Sequence, residues 1–399
     1  MDSSRNSSRN SERFNEFMEE SCCSQFCMGP NPWMARYLYG LIFLLTNLMA
    51  WGIRDYGQSF LTEMERLEGC QGGRYCLGTE GVLRVSLGCF IFYFIMFLST
   101  AGATKLNERR DSWHSGWWSA KIVIWIALLV LPFFVPSVVI ELYGEIAHFG
   151  AGVFLLVQLI SVTSFIKWLN DCCLSEKNAD RCRINVILLS AAAYIVCFVG
   201  IVLMYIWYVP QPSCLANIFF ITWTLVLLQL MTCVSVHPKV NAGFLSPGLM
   251  GLYVVFICWC AIRSEPPSNT CNRRAEIATS ADWLTIISFI IALLAMVIAT
   301  FSTGIDSKSF QFKKDEAEAE DEVPYGYAFF HFVFATGAMY FAMLLISWNA
   351  HHTMRKWTID VGWTSTWVRI VNEWLAACVY IWMLVAPLIW KNRRNMERT

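Results

Sequence analysis

The sequence predicts an all-α polytopic membrane protein with ten transmembrane helices, one of them a long oblique fourth helix, and with N- and C-termini cytosolic. Three observations predict it. Hydrophobic residues make up 56% of the 399 and charged residues 15%, against about 25% charged in a soluble domain. The charge falls between long apolar blocks. Ten of those blocks match the ~20 residues that a helix needs to cross about 30 Å of hydrocarbon, and helices satisfy their own backbone groups in lipid at such lengths. A transmembrane β-barrel would instead show alternating segments of about 10 residues. The 30 Lys and Arg cancel the 30 Asp and Glu, which excludes the bulk basicity of a nucleic-acid binder.

Residues 1–32 are polar and form a cytosolic segment with a cysteine cluster, Cys22, Cys23 and Cys27. The run 33–53 is too long for a signal-peptide core, so the first span is expected to act as its own insertion signal. Span two, 81–101, carries Arg84 near its start. Span three, 117–135, follows Trp113, Trp117 and Trp118, which read as an interfacial belt. Its Lys121 is placed to snorkel. Pro132 and Pro136 then separate spans three and four almost without a polar loop. Proline suits the first turn of a helix and bends the end of another. Span four is 136–168, about 50 Å long at 1.5 Å per residue, so it must tilt or leave the membrane. Spans five to eight are 183–209, 214–236, 244–262 and 282–303. The loop 304–323 holds six acids within 315–322 and is expected to be a solvated cytosolic segment. Span nine, 324–348, contains His331, and span ten, 367–390, contains Arg369 and Glu373. Residues 33–390 are therefore one membrane domain, and 391–399 are a basic cytosolic tail.

An even number of spans puts both termini on one side. With that side cytosolic, 20 of the 30 Lys and Arg lie in cytosolic segments or at span ends beside them, as the positive-inside rule requires. Cys70, Cys76 and Cys271 then fall in outer loops, where disulfides persist. Cys70–Cys76 is the easiest local pair, and Cys271 and Cys214 are left open. Cys22, Cys23, Cys27, Cys172 and Cys173 sit beside the membrane on the cytosolic side, where cysteines can be palmitoylated. Zinc is the rival reading, without a nearby histidine to complete a site. Oxidised outer loops fit any secretory-pathway membrane: endoplasmic reticulum, Golgi or plasma membrane.

Ionisable groups inside spans are costly and face a cavity, a partner or a polar pathway. Glu141, Glu145 and His148, spaced i, i+4 and i+7, share one face of span four. Three readings compete. The face lines a hydrated groove or lipid-headgroup path; it forms an ion-pair cluster with Arg84 or Arg369; or it holds a metal as in di-iron bundles, for which only one Glu-x-x-His spacing is present. Arg369 and Glu373, four apart, read as neutralising each other. His331 reads as a hydrogen-bonded packing residue, with a proton relay as the alternative. The sequence holds no Walker loop, dinucleotide fingerprint, Gly-x-Ser-x-Gly elbow or His-Glu-x-x-His motif. No enzyme activity, metal or cofactor is expected.

Several segments resemble the serine incorporator (Serinc) family of multispan membrane proteins. One runs from Ser246-Pro247-Gly248-Leu249 through Tyr253, Trp259 and Ala261 to Ser264-Glu265-Pro266 and Cys271-Asn272. Another is Tyr325-Gly326-Tyr327-Ala328-Phe329-Phe330-His331-Phe332, ending in Ser347-Trp348-Asn349. A third is Trp367-Val368-Arg369-Ile370 with Trp374, Tyr380, Trp382 and Leu384-Val385-Ala386-Pro387-Leu388. The chain departs from the family pattern at Gly326 and Ala328, where serines are usual, and at Ser164, where an acid is. The resemblance implies a ten-helix fold of two subdomains, separated by a long diagonal helix and a lipid-accessible groove. It implies ATP-independent scrambling of phospholipids between leaflets, or else an L-serine carrier or scaffold that feeds phosphatidylserine and sphingolipid synthesis. The expected partners are membrane phospholipids, L-serine and lipid-synthesis enzymes, with no nucleic acid and with an oligomer left open. A structural or interaction protein is the third reading. A scramblase needs a polar track, which Glu141, Glu145, His148, Arg84, Lys121, His331, Arg369 and Glu373 are candidates to line. A serine carrier needs a closed midplane pocket at broken helices, and the interruptions of that kind are Pro132/Pro136 and Ser246-Pro247-Gly248.

Overall fold

A computed structural model of the chain describes residues 32–57, 76–103, 105–106, 108–174, 179–266, 271, 283–305, 323–348 and 359–396. The described residues hold eleven α-helices. They are α1 Pro32–Tyr56, α2 Cys76–Thr100, α3 Arg109–Ser115, α4 Trp118–Val130, α5 Ser137–Leu174, α6 Ala179–Tyr208, α7 Leu215–Val236, α8 Leu245–Arg263, α9 Trp283–Ile305, α10 Tyr327–Leu345 and α11 Trp363–Met396. Most of the acidic loop, Cys22, Cys23, Cys27 and Cys70 lie outside the described residues.

Among the described residues, seven helices are long and apolar enough to cross a membrane: α2, α5, α6, α7, α8, α10 and α11. The pair α3 and α4, bent by 68°, supplies up to one more. Helices α1 and α9, of 25 and 23 residues, occupy the other two predicted spans.

The bend between α3 and α4 lies at Gly116 and Trp117. Trp117 has φ 56° and ψ 36°, a left-handed conformation that costs a bulky residue about 1–2 kcal/mol. It turns the chain so that α4 departs steeply from α3. Downstream, α4 passes into a 3-10 turn over Leu131–Phe134, because proline removes the donors a continuous helix would need.

The predicted long fourth helix is longer still. Helix α5 has 38 residues, about 57 Å at 1.5 Å per residue. Its N-terminal half buries Ile140, Tyr143, Ala147 and Ala151 in one core, with α1, α2 and α10. Its C-terminal half buries Leu159 and Ile166 in another, with α7, α8 and α11. The first core is rich in rings, among them Tyr39, Phe43, Tyr93, Phe330 and Phe334. Close helix approach there rests on small residues. A side chain at Gly88 of α2 would strike the Leu128 carbonyl of α4.

Candidate functional site

The face of α5 that carries Glu141 and Glu145 points out of the protein. The helix buries Ile140, Tyr143 and Ala147 on its other side, so residues one or two positions away turn outward. Both carboxylates are exposed, among the exposed side chains Val138, Leu142, Ile146 and Phe149. Neither has a hydrogen-bond or ion-pair partner among the described residues. His148 turns inward instead: its Nδ1 lies 2.8 Å from the Gly144 carbonyl and its Nε2 3.3 Å from the Trp348 carbonyl. The predicted trio therefore divides into two outward acids and one imidazole that ties α5 to the end of α10.

Arg84 and Arg369 are engaged elsewhere, which corrects the ion-pair reading. Arg84 is fully buried and bonds Glu80 one turn earlier at 2.5 Å. Its Nη1 also donates to the Pro132 and Val135 carbonyls. Pro136 has no N–H to give the Pro132 carbonyl, which accepts from the Val135 N–H of the 3-10 turn and from the guanidinium instead. Ser137, the first residue of α5, donates to the same Glu80 carboxylate at 2.8 Å. Arg84 thus fastens the start of α5 to α2.

Arg369 pairs with Asp360 in the turn before α11 rather than with Glu373. Asp360 reaches it because residue 360 takes φ 57° and its other oxygen accepts from Trp348 Nε1. Glu373, 1% exposed, lies between α7 and α8, with one oxygen 2.7 Å from Thr224 Oγ1.

Lys121 does not snorkel. It is fully buried and donates to the His114 carbonyl at 2.8 Å. That contact joins it to a polar network in the first core. His331 Nε2 lies 3.0 Å from His114 Nδ1, and His114 Nε2 lies 2.9 Å from the Tyr325 hydroxyl. His114 stacks on Tyr327 at 3.9 Å, whose hydroxyl donates to Asp111 at 2.8 Å. His331 is a hydrogen-bonded packing residue in this arrangement, but its partner, His114, escaped sequence reasoning. Asp111 and His114 sit in the polar segment between spans two and three, whose only cue was the Trp113 beside them.

Among the described residues no three His, Cys, Asp or Glu side chains group as metal ligands. A disulfide joins Cys214, which caps α7, to Cys271 after α8, so Cys271 finds Cys214. The side chains of Cys76, Cys172 and Cys173 lie outside the described set, as do Cys22, Cys23, Cys27 and Cys70.

A family model described as "Serine incorporator (Serinc)" matches residues 14–319 and 306–393. A "Probable serine incorporator" of Nematostella vectensis is 26% identical, with 94% of each chain covered. "Serine incorporator 3" of Bos taurus is 24% identical over 94% of each chain, and "Serine incorporator 2" of Mus musculus is 24% identical over 79% of each.

Proposed function

The chain belongs to the serine incorporator family, and from that premise we propose that it moves phospholipids between the leaflets of a secretory-pathway membrane without ATP. One observation carries the reading: Glu141 and Glu145 are exposed and unpartnered on the outer face of a membrane-length helix. A charged side chain facing hydrocarbon costs several kcal/mol. Water and lipid headgroups along the face remove that cost, and a wet stripe on a helix of this length is a path for a headgroup whose acyl tails stay in lipid. In this reading α1, α9 and the bent α3–α4 pair complete ten crossings, and both termini are cytosolic. The activity is transport, linked to phosphatidylserine and sphingolipid metabolism.

The test is the purified protein in vesicles carrying a fluorescent phospholipid, with dithionite added outside. The expected result is bleaching beyond the outer-leaflet half, without nucleotide. Bleaching no faster than in protein-free vesicles refutes it. A second reading, an L-serine carrier or scaffold, is favoured by the relatives' name. Saturable uptake of labelled serine into the same vesicles would support its carrier form.

A further inference from the structure

The surroundings of Lys121 are a cage. Its Nζ lies 4.5 Å from the ring centre of Trp118 and 5.3 Å from those of Tyr39 and Trp113. Each ring is locked by its own polar handle. Tyr39 Oη donates to the His114 carbonyl at 3.0 Å, Trp113 Nε1 to Ser99 Oγ at 3.0 Å, and Trp118 Nε1 to the Ser115 carbonyl at 3.0 Å. The cage is therefore built without help from the lysine it holds. It is formed by residues from α1, α3 and α4, and the left-handed Trp117 between them sets the angle at which two of the walls meet.

A primary ammonium is a poor match for it. Lysine presents three donors and is strongly hydrated, yet among the described residues the His114 carbonyl is the one hydrogen-bond acceptor Lys121 meets. The remaining walls are ring faces. Aromatic faces around a cation suit an alkylated ammonium, which has little or no hydrogen bonding to satisfy. Two walls, Trp113 and Trp118, are only half-buried, so the cage borders the surface, and a flexible four-carbon stem can leave it.

We propose that Tyr39, Trp113 and Trp118 form a docking site for the alkylammonium group of a phospholipid headgroup, with Lys121 as the displaceable resident that fills it between visits. The inference rests on the lipid-path reading for the source of the ammonium, while the cage stands on its own geometry.

The experiment uses the full chain in detergent and reads thermal stability and tryptophan fluorescence. Lys121→Ala empties the cage, and Lys121→Met keeps it filled without charge. Tetramethylammonium chloride should bind the Ala variant saturably, at least tenfold tighter than wild type, and should raise its melting temperature. Equal sodium chloride should do neither. The Met variant should not respond, and adding Trp118→Leu to the Ala variant should remove the response. Dihexanoyl phosphatidylcholine should reproduce the effect and dihexanoyl phosphatidylglycerol should not. Equal responses to the two cations overturn the proposal. A response to tetramethylammonium without one to phosphatidylcholine overturns the lipid source. If the Ala variant accumulates folded neither alone nor with tetramethylammonium, the rings are only the packing shell of Lys121 and the proposal falls. Neither readout measures lipid flux, so failure of the cage and failure of the lipid path are distinguishable.

Discussion

At the scale of single residues, Glu373 shows how proton counting decides a role. Thr224 Oγ1 lies 2.8 Å from the Phe220 carbonyl and 2.7 Å from a Glu373 oxygen, and a hydroxyl has one proton. A carboxylate would leave the two acceptors sharing it. A carboxylic acid that donates to Thr224, which donates onward to Phe220, removes that competition, while the other Glu373 oxygen meets no hydrogen-bond partner among the described residues. Glu373→Gln, whose amide donates in the same way, is therefore expected to cost less than about 1 kcal/mol, while Glu373→Ala leaves a gap and costs about 2–5 kcal/mol. Thermal unfolding in detergent compares the two. Equal losses would overturn the argument. Arg84 is the stricter case. Arg84→Met takes the cation from the Glu80 carboxylate and the guanidinium donor from the Pro132 and Val135 carbonyls, and breaking a buried pair costs about 3–5 kcal/mol. Part of that loss should return when Glu80→Gln is added. The sequence offered Arg84 as an intramembrane charge but hid its partner, because Glu80 stands one position outside the predicted span. The bond from His114 to His331 joins residues 217 apart, and no local pattern encodes it.

At the scale of elements, the helices were legible because hydropathy and length set them almost alone. Every predicted span holds a helix, and boundaries move by a few residues where a polar end continues the helix, as in α5 and α11. The division of α3 from α4 was not legible. It depends on a left-handed tryptophan, and nothing in the sequence requires that conformation of residue 117. Packing between elements gives a direct test. Gly88→Ala should push α2 from the α4 backbone and cost about 1–3 kcal/mol, read as a lowered melting temperature. Gly152→Ala, which meets nothing within 4 Å, is the matched control and should be neutral or stabilising.

At the scale of the whole molecule, two cores share one helix, and the exposed face of α5 that carries Glu141 and Glu145 runs along the part held by the first core. Glu141→Gln with Glu145→Gln is expected to slow flux about tenfold, the equivalent of about 1.4 kcal/mol in the barrier. The melting temperature should hold, since exposed substitutions usually change stability by under about 0.5 kcal/mol. A large stability loss with unchanged flux would instead mark the pair as structural. The first core has a further consequence, for the order of biosynthesis. Its last wall is α10, which bonds back across 252 residues from Ser86 to Ala338 and 291 from Arg54 to Leu345. At about 5–20 residues per second, α2 waits on the order of 10–50 s for that wall while α3 to α9 are made. A chain stopped before residue 327 should insert α1 to α5 with their aromatic surfaces open, and should be held by membrane chaperones and degraded faster than the full chain in a pulse-chase. The newborn protein is thus most exposed to quality control in the interval between its second helix and its tenth.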